Sequence, residues 1–134
     1  MTQKINILMV DDVEFSRELL RSVVKSSIDD DKLPLSPQFF HTSTGKDVLE
    51  IIIQKHIHLV YLDIDLPDMS GLEILKKIKL EHIKVVVVMV SGESSSTNVM
   101  DAIKNGASGF IVKPYNSARI SDSLRNYLKS GAQK

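Results

Sequence analysis

Apolar residues along this chain come in short dense runs, separated by stretches in which they recur every three or four positions. The runs Ile5–Val10, Gln38–His41, Leu59–Leu62, Val85–Val90 and Gly109–Val112 predict five strands. A helical period follows each. Phe15, Leu19 and Val23 fall at i, i+4 and i+8, the stripe of a first helix. Val48, Ile51 and Ile52 mark a second, opened by Thr44 with Asp47 three residues on, in the manner of a capping box. Leu72, Leu75 and Ile78 stack in a third helix that begins at Ser70-Gly71. A fourth opens in Ser94-Ser95-Ser96-Thr97 and stops at Gly106, a helix-ending glycine. The last runs from Asn116 and aligns Ile120, Leu124, Tyr127 and Leu128. Between the first helix and the second strand, Ser26 to Pro37 contains Asp29-Asp30-Asp31 and two prolines, and predicts a mobile, solvated loop.

Strands alternating with helices predict an α/β fold with a parallel sheet. Five βα units in 134 residues predict a three-layer, doubly wound sandwich with five helices, in the flavodoxin-like strand order 2-1-3-4-5. Strands 1, 3 and 4 are central in that order, which suits their uninterrupted apolar runs. The chain is expected to form a single domain over residues 1–134.

Composition changes little in this picture but excludes several functions. Lys plus Arg and Asp plus Glu number 17 each, so no net field favours nucleic acid or a membrane surface. The absence of cysteine rules out a disulfide framework, a thiolate nucleophile and a cysteine-based zinc site. Met1-Thr2-Gln3-Lys4 leads into the first strand without a signal-peptide pattern, and Val85–Val90 is too short to span a bilayer, so a cytoplasmic address is the default expectation.

The chemistry lies where the strands end. Asp11 and Asp12 close the first apolar run and Asp63 closes the third. With strands 1 and 3 adjacent, these carboxylates converge at the C-terminal edge of the sheet, where open α/β sheets bind ligands. Gathered carboxylates repel one another and favour a hard divalent cation; a cation held so, with positions left for phosphate oxygens, is a Mg²⁺ site suited to phosphoryl transfer. Strand 4 ends at Ser91-Gly92 and strand 5 at Lys113-Pro114, adding a hydroxyl and a cation. A carboxylate can attack phosphorus to give an aspartyl phosphate, with catalysis largely by positioning and charge neutralisation. Taken alone, Asp12 also suits a cap for the first helix, Ser91 a turn and Phe110 ordinary strand packing. His41, His56, His58 and His82 are scattered without metal-ligand spacing and are expected to be solvated or packed.

Four stretches carry a resemblance over essentially the whole chain: Ile7-Leu8-Met9-Val10-Asp11-Asp12, Leu62-Asp63-Ile64-Asp65-Leu66-Pro67-Asp68-Met69-Ser70-Gly71, Met89-Val90-Ser91-Gly92, and Gly106-Ala107-Ser108-Gly109-Phe110-Ile111-Val112-Lys113-Pro114. With these in order, the chain resembles the response-regulator receiver domains of two-component signalling, and is similar to the stand-alone chemotaxis type. The resemblance implies that Asp63 accepts a phosphoryl group from a phosphohistidine on a sensor histidine kinase or a histidine phosphotransfer protein. It implies Mg²⁺ held by Asp11 (largely through water), Asp12, Asp63 and the backbone carbonyl of Asp65. It further implies that Lys113 pairs with the phosphoryl group before a cis Lys113–Pro114 bond, that Ser91 is the switch hydroxyl, and that Phe110 is the switch aromatic. The implied output is a downstream protein docking on the face of helix 4, strand 5 and helix 5, between roughly Val99 and Tyr115. No direct contact with nucleic acid or membrane is implied, and a phosphorylation-dependent homodimer is left open. Such a module is a signalling receiver rather than an enzyme, catalysing only its own phosphorylation and dephosphorylation.

Asp65 and Glu93 are acids at two positions that the family varies, and are expected to tune the lifetime of the acyl phosphate. The segment between strands 1 and 3 is longer than usual, with the excess expected in the Ser26–Pro37 loop. Asp63-Ile64-Asp65 also has the D-x-D form of a haloacid-dehalogenase-like phosphatase, with nucleophile and general acid-base two residues apart. That motif normally opens the sheet near the N-terminus, however, whereas here an acidic pair precedes it. A phosphorylation-independent receiver scaffold is the other alternative, and a flavin or nucleotide carrier is disfavoured by Asp11-Asp12 where phosphate needs a Gly-rich or Ser/Thr-rich loop.

Overall fold

The computed structural model describes residues 2–92 and 96–130, apart from the side chains of Ser96 and Thr97. Five strands, β1 (Gln3–Val10), β2 (Leu35–Thr42), β3 (Leu59–Asp63), β4 (Val86–Ser91) and β5 (Gly109–Val112), alternate with five helices, α1 (Glu14–Asp30), α2 (Val48–Gln54), α3 (Gly71–Leu80), α4 (Ser96–Lys104) and α5 (Ser117–Lys129). All strand pairs are parallel, and the order is β2-β1-β3-β4-β5, as predicted.

The dense apolar runs have a direct cause, because both faces of the central strands are covered. Successive residues point to opposite faces. Ile5, Ile7 and Met9 of β1 join Tyr61, Val88 and Ile111 beneath α1 and α5, where Leu20, Val24, Leu124 and Tyr127 close the layer. Leu8 and Val10 join Leu62, Val87 and Met89 beneath α2, α3 and α4, against Val48, Ile52, Ile74, Leu75 and Ala102. Tyr61 is buried with its phenol oxygen 2.7 Å from the Ser123 hydroxyl, so its one polar atom is satisfied.

Three expectations need correction. The core face of α1 is Leu20, Val24 and Ile28, while Phe15 is 72% exposed and Leu19 also faces outward. The apolar positions of α1 span a stripe too wide to fix its orientation from period alone, and packing against α5 selects the other edge. The Ser26–Pro37 stretch is not a loop: α1 runs through Asp30 and β2 begins at Leu35, so only residues 31–34 connect them. Pro37 fits because β2 is an edge strand, where a missing N–H leaves no ladder bond broken. The start of α2 is not a capping box either, since Asp47 makes no side-chain cap bond and Thr44 Oγ1 lies a long 3.4 Å from its carboxylate.

Other helix signals hold. Ser70 accepts from the Leu72 amide at the start of α3, and Asn116 from Ala118 and Arg119 at the start of α5. Gly106 ends α4 with φ of 93°. No described helix is long and apolar enough to cross a membrane.

Candidate functional site

The C-terminal ends of β1, β3 and β5 bring three carboxylates and one cation together. Asp11 and Asp63 are almost fully buried, at 2% and 4% exposure, whereas Asp12 is exposed. Carboxylate oxygens of Asp11, Asp12 and Asp63 lie within 4.8 Å of one another, and no other such acidic or histidine group forms among the described residues. Lys113, held at the end of β5 by a bond from its amide to the Ser91 carbonyl, spans the two buried acids. Its Nζ lies 2.9 Å from Asp11 Oδ2 and 2.8 Å from Asp63 Oδ2. The Lys113–Pro114 peptide is cis.

The two buried carboxyls respond differently to the same lysine. For Asp63, burial outweighs the bonds from Lys113 and the Asp65 amide, and lifts the carboxyl above its ordinary value. For Asp11, burial also pushes upward, but the Ser16 hydroxyl, Lys113 and the Val13 amide together hold the group below its ordinary value. Lys113 loses some preference for charge through burial, yet the two carboxylates raise its pKa well above that of a free lysine. A buried site with two acids against one ammonium has an unbalanced negative charge, and its clustered oxygen donors suit a hard divalent cation.

The other expected residues lie at or near this edge. Ser91 ends β4, 1% exposed and in register with Val112. Asp65 follows the β3 end, exposed, with its amide donating to Asp63 Oδ1 at 3.0 Å. Phe110 is set back from the acids, opposite Met89 in the ladder and partly buried against the core on the α2–α3–α4 side. Asp12 does not cap α1; the N-cap is Val13 with no side-chain bond, and it is Asp11 Oδ1 that takes the Val13 amide, at 2.9 Å. Glu93 lies outside the described residues.

Several residues contribute that periodicity did not single out. Arg17 Nη1 donates to the Asp11 carbonyl at 2.6 Å, fixing the backbone between the paired acids and α1. Ser16 helps to hold the Asp11 carboxyl below its ordinary value, and its hydroxyl lies 3.4 Å from Tyr115 Oη. Gly71 packs so closely against the carboxyl-bearing strand that a Cβ there would sit 2.2 Å from the Asp63 carbonyl oxygen. Any larger residue would displace Asp63.

A family model for the response regulator receiver domain matches residues 7–125. The chain belongs to the response-regulator receiver family. Chemotaxis protein CheY of Listeria monocytogenes is 32% identical over 125 residues, covering 93% of this chain and 99% of that protein. Regulatory protein LuxO of Vibrio vulnificus is 25% identical over 125 residues, 93% of this chain but only 26% of its own length. Among solved structures, the signal receiver domain of a LuxO repressor protein from Vibrio parahaemolyticus superposes with a TM-score of 0.78 at 30% identity, covering 96% of this chain and 92% of that one. This receiver is therefore a CheY-like module of two-component signalling. Receiver domains bind Mg²⁺ at an acidic pocket, and the donor set of Asp11, Asp12 and Asp63 fits that ion.

Proposed function

We propose that this receiver takes a phosphoryl group from a phosphohistidine onto Asp63. The observation that carries the reading is the buried Asp63 carboxylate, bridged by Lys113 to Asp11 and flanked by the exposed Asp12. In the resting state Lys113 bonds both buried acids and offsets one of their two charges. As the donor arrives, an Asp63 carboxylate oxygen attacks phosphorus, the P–N bond to the donor imidazole breaks, and the imidazole keeps that electron pair and takes up a proton. Lys113 moves its charge onto a phosphoryl oxygen, and Ser91 offers a hydroxyl to another. Mg²⁺ would be held by Asp12, Asp63 and the Asp65 carbonyl, with Asp11 acting through water, and would neutralise charge on the equatorial phosphoryl oxygens. Asp11 and Asp12 thus hold the ion, Asp63 is the nucleophile, and Lys113 and Ser91 orient and neutralise.

Donors of this chemistry are a sensor histidine kinase or a histidine phosphotransfer protein. Output follows when Ser91 turns toward the phosphoryl group and Phe110 turns inward, remodelling α4, β5 and α5 for a downstream protein or a second copy of the receiver. Exposed apolar side chains at Met100, Ile103 and Val112 support that face as the docking surface.

Intact mass after incubation with Mg²⁺ and a small acyl phosphate tests the reading. One phosphoryl adduct is expected on the wild type, dependent on Mg²⁺ and absent from Asp63→Asn. Absence of both adduct and phosphate release would instead favour a phosphorylation-independent scaffold, and steady phosphate release from simple monoesters would favour a phosphatase.

A further inference from the structure

The loop from Ile64 to Ser70 follows the proposed phosphoacceptor and contains Asp65, the proposed carbonyl ligand. Its inner end is clamped. The Gly71 amide donates to the Ile64 carbonyl at 2.8 Å, Asp65 bridges to Ser70, and Gly71 lies against the Asp63 backbone. Its outer end is held across the molecule. Asp68 Oδ1 accepts from the Gly45 amide at 2.9 Å and Oδ2 from the Lys46 amide at 3.0 Å, residues 23 and 22 positions away in the turn before α2. That turn comes unusually close to the loop, because a Cβ on the buried Gly45 would lie 2.6 Å from both the Met69 and Ile74 side chains. Two adjacent amides on one carboxylate fix both its position and its orientation, and the N-cap residue of α2, Asp47, makes no side-chain cap bond of its own.

We propose that Asp68 is a positioning residue for the metal site: through Gly45 and Lys46 it ties the loop carrying Asp65 to the start of α2, and so holds that loop in its Mg²⁺-binding geometry. The proposal rests on the reading of the Asp63 site as a Mg²⁺ site. By linkage, it also requires that Mg²⁺ tighten the distant bonds: whatever the bonds contribute to ion binding, the ion returns to the bonds. Gly45 and Lys46 therefore become reporters of events at Asp63.

The test uses the full, unphosphorylated chain, labelled for amide NMR and titrated with MgCl₂ alone. Asp68→Ala removes both bonds, and Asp68→Asn keeps one carbonyl acceptor while losing the same charge, so the difference between the two isolates the bond from the field. Asp68→Ala is expected to weaken Mg²⁺ binding roughly tenfold, the lower end for loss of a support behind a ligand, with Asp68→Asn between it and the wild type. Mg²⁺ should slow hydrogen exchange at Gly45 and Lys46 in the wild type and leave Asp68→Ala unaffected. Equal affinities in Asn and Ala variants, or exchange at Gly45 and Lys46 indifferent to Mg²⁺ in the wild type, would overturn the proposal. If Asp68→Ala fails to fold, the exchange at Gly45 and Lys46 in the wild type still decides it. A wild type whose amides near Asp12 and Asp63 ignore Mg²⁺ would overturn the Mg²⁺ reading itself, and the proposal with it.

Discussion

Asn6 is the one polar residue inside the apolar run of β1, and its side chain serves a different element. Its Nδ2 donates to the carbonyls of Lys55 and His56, at the end of α2, at 2.9 and 3.2 Å, while its backbone N–H donates to His58 Nδ1 at 2.8 Å. A ring nitrogen that accepts from an amide must be unprotonated. Burial, and after it the charges of His56 and Lys4, depress the His58 pKa below its ordinary 6.5. The folded chain thus binds this proton more weakly than the unfolded chain. The contribution of His58 to stability is complete above about pH 6.5 and is lost as pH falls toward the depressed folded value. His58→Asn supplies a carbonyl acceptor that does not titrate in this range. Urea midpoints measured at pH 7.5 and 5.5 should fall further in the wild type than in that variant. Equal falls would remove the role assigned to His58.

At the scale of elements, four helices end in the same way. After α4, Gly106 N–H bonds the Ile103 carbonyl and Ala107 N–H the Ala102 carbonyl, with Gly106 in the left-handed region. This is the paired Schellman arrangement. The same outer bond runs from Leu33 to Ile28 after α1, Ile57 to Ile52 after α2 and Ile83 to Ile78 after α3, but the left-handed residues there are Lys32, His56 and His82, with φ of 53°, 51° and 54°. A residue with a Cβ pays about 1 kcal/mol for that conformation. His82→Gly is accordingly expected to raise stability by about 0.5–1 kcal/mol, and Gly106→Ala to lower it by about 1 kcal/mol. Thermal unfolding of the two variants checks the pair; destabilisation by His82→Gly would show that its side chain matters more than its backbone strain. These ends also explain what the sequence could and could not tell. Gly106 announced the end of α4, whereas nothing in Lys32, His56 or His82 marks a helix terminus. The central strands β1, β3 and β4 were legible because burial on both faces makes them apolar almost throughout, whereas the edge strand β2 is mostly half-buried or exposed and its start at Leu35 read as loop. The site was legible because Asp11, Asp12 and Asp63 interrupt the central runs where β1 and β3 end. The orientation of α1 and the Asp68 bonds were not, since one depends on which edge of a wide stripe meets α5, and the other joins a side chain to backbone amides that have no sequence identity.

At the scale of the molecule, the proposed site and the proposed output face meet at the end of β5, where Lys113 sits, and otherwise occupy neighbouring elements. Asp63 ends β3, Ser91 ends β4 beside it, and Phe110 lies opposite Met89 on β5, so a change at the acids can pass through two neighbouring strands before it reaches a helix. On the far side, Ala102 anchors α4 to the core while Met100 and Ile103, 69% and 64% exposed, face outward with Val112. Among the described side chains of α4 only that alanine is fully buried, a small anchor, which leaves α4 easier to shift than α3, whose Ile74, Leu75 and Ile78 are all buried. Phosphorylation moves this arrangement only to the extent that the phosphoryl group bonds one state better than the other, and the hydroxyl of Ser91 is the proposed source of that difference. Ser91→Ala should therefore still take up phosphate on Asp63 in the presence of Mg²⁺ and an acyl phosphate. What it should lose is the response at a distance. In the wild type, phosphorylation is expected to change amide exchange across residues 98–112; in Ser91→Ala at equal phosphoryl occupancy, measured by intact mass on the same samples, most of that change should vanish. A response of full size in the alanine variant would mean that the signal leaves the site by another route, with Lys113 at the end of β5 the remaining direct link from the acids to the output face.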